Sequence, residues 1–161
     1  MTRVKHSNRN QAFSLIELVI VVVIIAIIGA IAIPRMSRGA AGAADAALTG
    51  DLAVLRNAVD LYATEHGGTF PAVGTIEAQL TQFTDNLGAT SASPTATHIY
   101  GPYLRKLPPL PVGTLKGQTA VHGGTLGGAG FGWHYNDTTG EVKANLAGGE
   151  ADVSGKDYNT Y

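Results

Sequence analysis

The stretch FSLIELVIVVVIIAIIGAIAI, residues 13–33, decides what kind of chain this is. From Leu18 to Ile33 it carries no polar side chain. Wound as a helix, residues 13–33 reach about 31 Å at ~1.5 Å per residue, the ~30 Å of a bilayer's hydrocarbon core. Val and Ile favour strands out of context, but strands end at roughly ten residues. A lone segment in lipid must satisfy its own backbone, which a helix does. The sequence therefore predicts one membrane-spanning helix over 13–33.

Upstream lies MTRVKHSNRNQA, residues 1–12, with Arg3, Lys5 and Arg9 and no acid. The positive-inside rule keeps such a leader cytoplasmic, although Arg35 and Arg38 beyond the span reduce the asymmetry. A cleaved secretory signal is the simpler alternative, and Ala30-Ile31-Ala32 offers it an A-x-A site. Against it, the apolar run exceeds the usual 7–15 residues, and Glu17 is out of place in a disposable segment. A carboxylate in a membrane helix costs on the order of 2.5–3.5 kcal/mol at the centre and less toward an end. Glu17 either snorkels to the headgroups or meets a partner charge. No cation lies between residues 10 and 34, but a cut just before Phe13 would create a free α-amine near Glu17.

Composition narrows the rest. The chain has 161 residues, a net charge of −1 and 14% charged residues, against roughly 25% in an ordinary soluble domain. There is no overall basic field to draw nucleic acid. The absence of cysteine excludes disulfides, thiolate zinc sites and a cysteine nucleophile.

Beyond the span, Pro34 marks a kink, the exit from lipid or the helix end. Residues 35–47, RMSRGAAGAADAA, are small, which suits either close helix contact or local melting. Ala41, Ala44, Leu48, Leu52, Leu55, Val59 and Tyr62 then recur at helical spacing, with Asp45, Asp51, Arg56, Asp60 and Glu65 mostly off the stripe. Gly67-Gly68 end this segment, so the helix is expected from about Phe13 to His66. The remainder, 67–161, reads as a small α/β head. Thr75 is the expected cap of a short helix bearing Ile76, Leu80 and Phe83, and 88–97 is expected as a surface loop. Gln118–His122, Phe131–Tyr135 and Glu141–Asn145 are strand candidates, the last two joined by a hairpin loop at 136–140. Trp133 is expected to pack this sheet on the helix.

Ala-Phe-Ser-Leu-Ile-Glu at 12–17, with its basic leader, apolar run and Pro34, resembles the prepilin cleavage motif of type IV pilins and type II secretion pseudopilins. The resemblance implies that a prepilin peptidase cuts between Ala12 and Phe13 and methylates the new Phe13 amine. It makes Glu17 the acid that sets register during assembly. Ala12 stands where the family normally has Gly. GPYLRKLPPLP at 101–111 and GWHYNDTTGEVKAN at 132–145 are similar to head segments of major pseudopilins, although Leu110-Pro111-Val112-Gly113 replaces an expected Asp-Pro-Trp-Gly-type turn. The implied fold is α+β and pilin-like: a long N-terminal helix, its first half in the membrane, packed on a small antiparallel sheet. The implied divisions are 1–12 leader, 13–33 assembly helix, 34–66 amphipathic half and 67–161 head. The implied partners are further copies of the chain, other pseudopilins, the prepilin peptidase and an inner-membrane secretion platform. The head would lie in the periplasm.

Pseudopilins of this kind bind calcium in a C-terminal loop. Glu150, Asp152 and Asp157 are the weak candidates here, without the spacing of a loop signature, and a solvated acidic tail is the preferred reading. GGTLGGAG at 123–130 has no phosphate-binding pattern and reads as a flexible inter-strand loop; the five histidines show no metal-ligand spacing, and no nucleophile elbow appears. No catalytic role is expected. The alternatives are a surface type IV pilus subunit, which shares the N-terminal helix, and an anchored periplasmic domain that never polymerises.

Overall fold

The computed structural model describes residues 13–161. Helix α1 spans Leu15–Glu65. It does not stop at Pro34, although a proline there leaves the Ala30 carbonyl without its usual intrahelical donor. The small residues 35–47 are helical throughout. The helix ends where glycine was expected to end it. Gly67 takes φ 64°, a left-handed conformation, and the Gly68 N–H closes back on the Ala63 carbonyl at 2.7 Å.

The chain divides into two compact units, the first ending at Gly39 and the second beginning at Ala40. The second unit holds the core. Leu48, Leu52, Leu55, Val59 and Tyr62 from the α1 stripe are each at most 2% exposed. They pack with Leu80, Leu107, Leu110, Tyr135, Val142 and Leu146, and with Trp133, which is fully buried. The Trp133 indole N–H donates to the Pro108 carbonyl at 2.8 Å, so its polar edge is satisfied as burial requires.

Helix α2 is short, Ile76–Thr81, and buries Ile76 and Leu80. Thr75 precedes it but does not cap it: its hydroxyl donates to Gln79 Oε1 at 3.1 Å instead. Phe83, expected on this helix, begins strand β1, Phe83–Thr84, which pairs antiparallel with β2, Thr90–Ser91. The expected loop at 88–97 thus contributes a short strand.

The main sheet has the order β3-β4-β5, formed by Val121–His122, Trp133–Asn136 and Glu141–Ala144. β4 and β5 form the expected hairpin, with Trp133 opposite Ala144 and Tyr135 opposite Val142. These four face the core while their neighbours face out. β3 pairs parallel to β4, so the sheet is mixed rather than wholly antiparallel. The connection through 123–132 carries the chain back to the start of β4, the kind of crossover a parallel pair needs.

Candidate functional site

Ser14 is the last residue before α1, and its N–H donates to Glu17 Oε2 at 3.0 Å. Ser14 therefore occupies the N-cap and Glu17 the third helical position. This is one arm of a capping box, in which an acid reaches back to an N–H the helix cannot satisfy. The carboxylate also lies in the first turn, where the helix dipole favours negative charge. The Ser-x-x-Glu spacing carried this signal in the sequence, and the reading by membrane cost alone passed over it.

From Phe13 to Ile31 every large apolar side chain stands outward. Phe13 is 88% exposed, and those from Leu15 to Ile31 range from 47% to 81%. Leu15–Ala32 has a mean hydropathy of 3.2, and none of it is buried within the chain. Burial of one such Val, Leu or Ile is worth ~1.5–3 kcal/mol, so the segment as a whole demands lipid or protein cover. By length and composition this helix segment is long and apolar enough to cross a membrane. The leader 1–12 and Ala12, which precedes the expected cut, lie outside the described residues. Pro34 lies within α1, beyond the apolar window.

The three weak calcium candidates fall in the terminal loop and face different donors. Both Glu150 oxygens are taken by Thr114, from its N–H at 2.7 Å and its hydroxyl at 2.9 Å. Asp152 Oδ1 accepts the Ser154 N–H and hydroxyl, both at 2.7 Å, and the Lys156 N–H at 2.9 Å; Oδ2 accepts the Tyr161 hydroxyl. Asp157 Oδ2 accepts the Gly149 N–H at 3.5 Å. Calcium needs six to eight oxygens turned toward one point. Here the carboxylates are turned toward N–H and O–H donors. Among the described residues no three His, Asp or Glu side chains form a group that could hold a metal. The three carboxylates thus do not converge on one point.

Nor is the loop merely a solvated tail. It folds back on α1, where Asp45 accepts the Tyr158 hydroxyl at 2.7 Å and the Val153 N–H at 3.1 Å. Arg56 donates to the Val142 carbonyl at 2.9 Å and the Tyr161 carbonyl at 2.7 Å. The 3-10 turn Tyr158–Thr160 seats the last tyrosines, and Lys156 lies 3.6 Å from the Tyr161 ring centre.

The glycine-rich stretch is likewise pinned. Asn145 is fully buried, and its side chain makes four hydrogen bonds. Its amide donates to the Gly128 and Phe131 carbonyls, and its oxygen accepts from Gly127 N–H, all at 2.9 Å; His122 Nε2 lies 2.9 Å from the same oxygen. Nothing in the local sequence singles out Asn145, because its partners come from another segment.

Residues 7–33 match the family model of the prokaryotic N-terminal methylation motif. No curated protein and no solved structure matches the chain. The matched stretch takes in Ala12, Phe13, Glu17 and nearly all of the exposed apolar helix. Through this N-terminal segment alone, a small part of the chain, it is similar to proteins that carry the prokaryotic N-terminal methylation motif.

Proposed function

We propose that this chain is a structural subunit of a type II secretion pseudopilus. It is made as a prepilin with a cytoplasmic leader, cut by the prepilin peptidase between Ala12 and Phe13, and methylated on the new Phe13 amine. The observation that carries this reading is the methylation motif lying directly on the Leu15–Ala32 stretch of α1, none of whose residues is buried within the chain. Such a helix rests in the inner membrane as a monomer. It leaves the bilayer when copies of the chain replace lipid around it, so the filament core is built from these helices. Glu17 meets the Phe13 amine of an adjacent copy as it enters. Its bond to Ser14 uses Oε2, and a carboxylate has acceptor capacity beyond one bond. The role is mechanical rather than catalytic: a periplasmic filament, joined by other pseudopilins and built on an inner-membrane platform, that moves secreted proteins outward.

Mass spectrometry of the N-terminal peptide tests processing. A peptide beginning at methylated Phe13 is expected; retention of residues 1–12 would leave an anchored domain that does not polymerise. A surface type IV pilus shares the same helix, whereas the cysteine-free head and the segments 101–111 and 132–145 favour secretion. Loss of protein secretion on deletion supports the pseudopilus. Loss of surface fibres with secretion intact replaces it with a pilus.

A further inference from the structure

The glycine-rich crossover 123–130 is held at both ends by one imidazole, and Asn145 fixes the form that imidazole takes. The Asn145 side-chain nitrogen must face the Gly128 and Phe131 carbonyls, because carbonyls only accept. Its oxygen therefore faces the Gly127 N–H and His122 Nε2. An oxygen there accepts, so Nε2 carries a hydrogen and donates at 2.9 Å. Across the ring, the Gly124 N–H lies 3.1 Å from Nδ1. A backbone N–H only donates, so Nδ1 must be bare. Only the neutral ring, protonated at Nε2, satisfies both neighbours. Phe131 stacks on the same ring with centroids 4.6 Å apart, so the far end of the crossover rests on it too.

The surroundings oppose a second proton. His134, on β4, meets His122 edge-on with centroids 5.8 Å apart. Its Nδ1 is buried and has no hydrogen-bond partner among the described residues. Burial, and then the neighbouring His122, hold the His134 ring below the ordinary histidine value. On β5, Glu141 favours charge on His134 and Lys143 opposes it, and the two are paired with each other at 2.9 Å. The crossover itself, GGTLGGAG, carries no titratable side chain. Val73 and Ala147, which it approaches through Gly123 and Gly127, bring none either.

We propose that His122 is an acid-released latch: neutral, it seats the crossover 123–130 on Asn145 at the end of β5; protonated, it lets the crossover go. A proton on Nδ1 sets two donors against each other, His122 and Gly124, and leaves the charged ring beside His134. Five of the eight crossover residues are glycine, so the backbone has many other conformations open to it once unpinned. Release also strips Phe131 of the ring it stacks on. For His134, whose neutral form the fold prefers, the contribution to stability is present above about 6.5 and is lost as pH falls through the lower folded value. The His122 bonds fail in the same direction. Every group in the latch belongs to one head, so it does not depend on the filament reading.

Hydrogen exchange of the full-length chain in detergent, read by mass spectrometry as protection factors, tests the latch. Between about pH 7.5 and about pH 5, on either side of the ordinary histidine value, protection of residues 123–131 is expected to fall at least about tenfold. Residues 48–62 of α1 and the terminal loop are expected to keep theirs. His122→Gln keeps an N–H donor toward Asn145 and cannot titrate, so its protection is expected to be the same at both values. Nitrogen NMR of the unsubstituted chain reads the tautomer without any variant, and a hydrogen on Nε2 alone is expected at the higher pH. Unchanged protection of 123–131, or an equal fall with His122→Gln, overturns the latch. So does a hydrogen on Nδ1 at the higher pH. Loss of protection throughout the head at once also overturns it, because the chain then unfolds as a whole.

Discussion

Glu17 answers two demands, one within its own helix and one proposed between copies, and substitution separates them. Gln at the third helical position still reaches the N-cap N–H but carries no charge. Leu supplies neither. If the neighbour's amine is what Glu17 meets, Glu17→Gln and Glu17→Leu are both expected to insert in the membrane and both to lose filaments. If only the cap matters, Glu17→Gln keeps them; filament counts by electron microscopy decide. Asn145 poses the opposite case, a residue whose work is wholly internal. Asn145→Leu strands buried donors and acceptors, each worth about 1–3 kcal/mol when unsatisfied. We expect a loss of at least about 2 kcal/mol in urea unfolding, with faster amide exchange at Gly127. Glu17 was legible because an acid in an apolar run is conspicuous. Asn145 was not, since one amide at a strand end becomes informative only once the Gly127–Phe131 segment is folded over it.

Among the elements, helix α1 was the most readable, because its stripe repeats at helical spacing and its glycines end it. The β4–β5 hairpin was readable for the same kind of reason: alternating burial on either side of a polar turn. The parallel placement of β3 was not, because a two-residue strand has no period to read and its partner is chosen by the path of the glycine-rich crossover. The docking of the largely exposed terminal loop on α1 was not legible, because its anchors, Asp45 and Arg56, lie far away in sequence. Its chemistry predicts a pH window. Asp152 is held well below the usual carboxylate range, chiefly by the Tyr161 hydroxyl and then by Ser154. Tyr161 is pushed up to about 12, chiefly by its bond to Asp152. A depressed carboxyl favours the folded loop above its unfolded value of about 3.9, and that contribution fades as pH falls below it. A raised phenol favours the folded loop below about 10, and that contribution is lost as pH climbs toward the folded value. The loop is expected to stay seated between these limits and to loosen on either side, read by near-ultraviolet circular dichroism. Tyr161→Phe should weaken the acid limb and remove the Tyr161 share of the alkaline one. Chelators should leave the loop unchanged at neutral pH, since its carboxylates are satisfied by protein donors.

At the scale of the whole chain, cover is distributed unequally. No residue of the Leu15–Ala32 window is buried, whereas the unit beginning at Ala40 contains the buried core cluster, including the α1 residues Leu48 to Tyr62. Stability and assembly should therefore separate cleanly. A chain starting at Ala40 is expected to fold, stay soluble without detergent and unfold in one cooperative step, because no core contact is removed. Within it, Trp133→Ala should cost about 3–5 kcal/mol, the range for emptying a fully buried aromatic site. The same shortened chain should neither enter membranes nor form filaments. Without the uncovered apolar segment, the isolated heads are expected to remain monomeric. Analytical ultracentrifugation of the shortened chain checks this. A stable dimer of isolated heads would mean that the heads, rather than the uncovered helix, drive association.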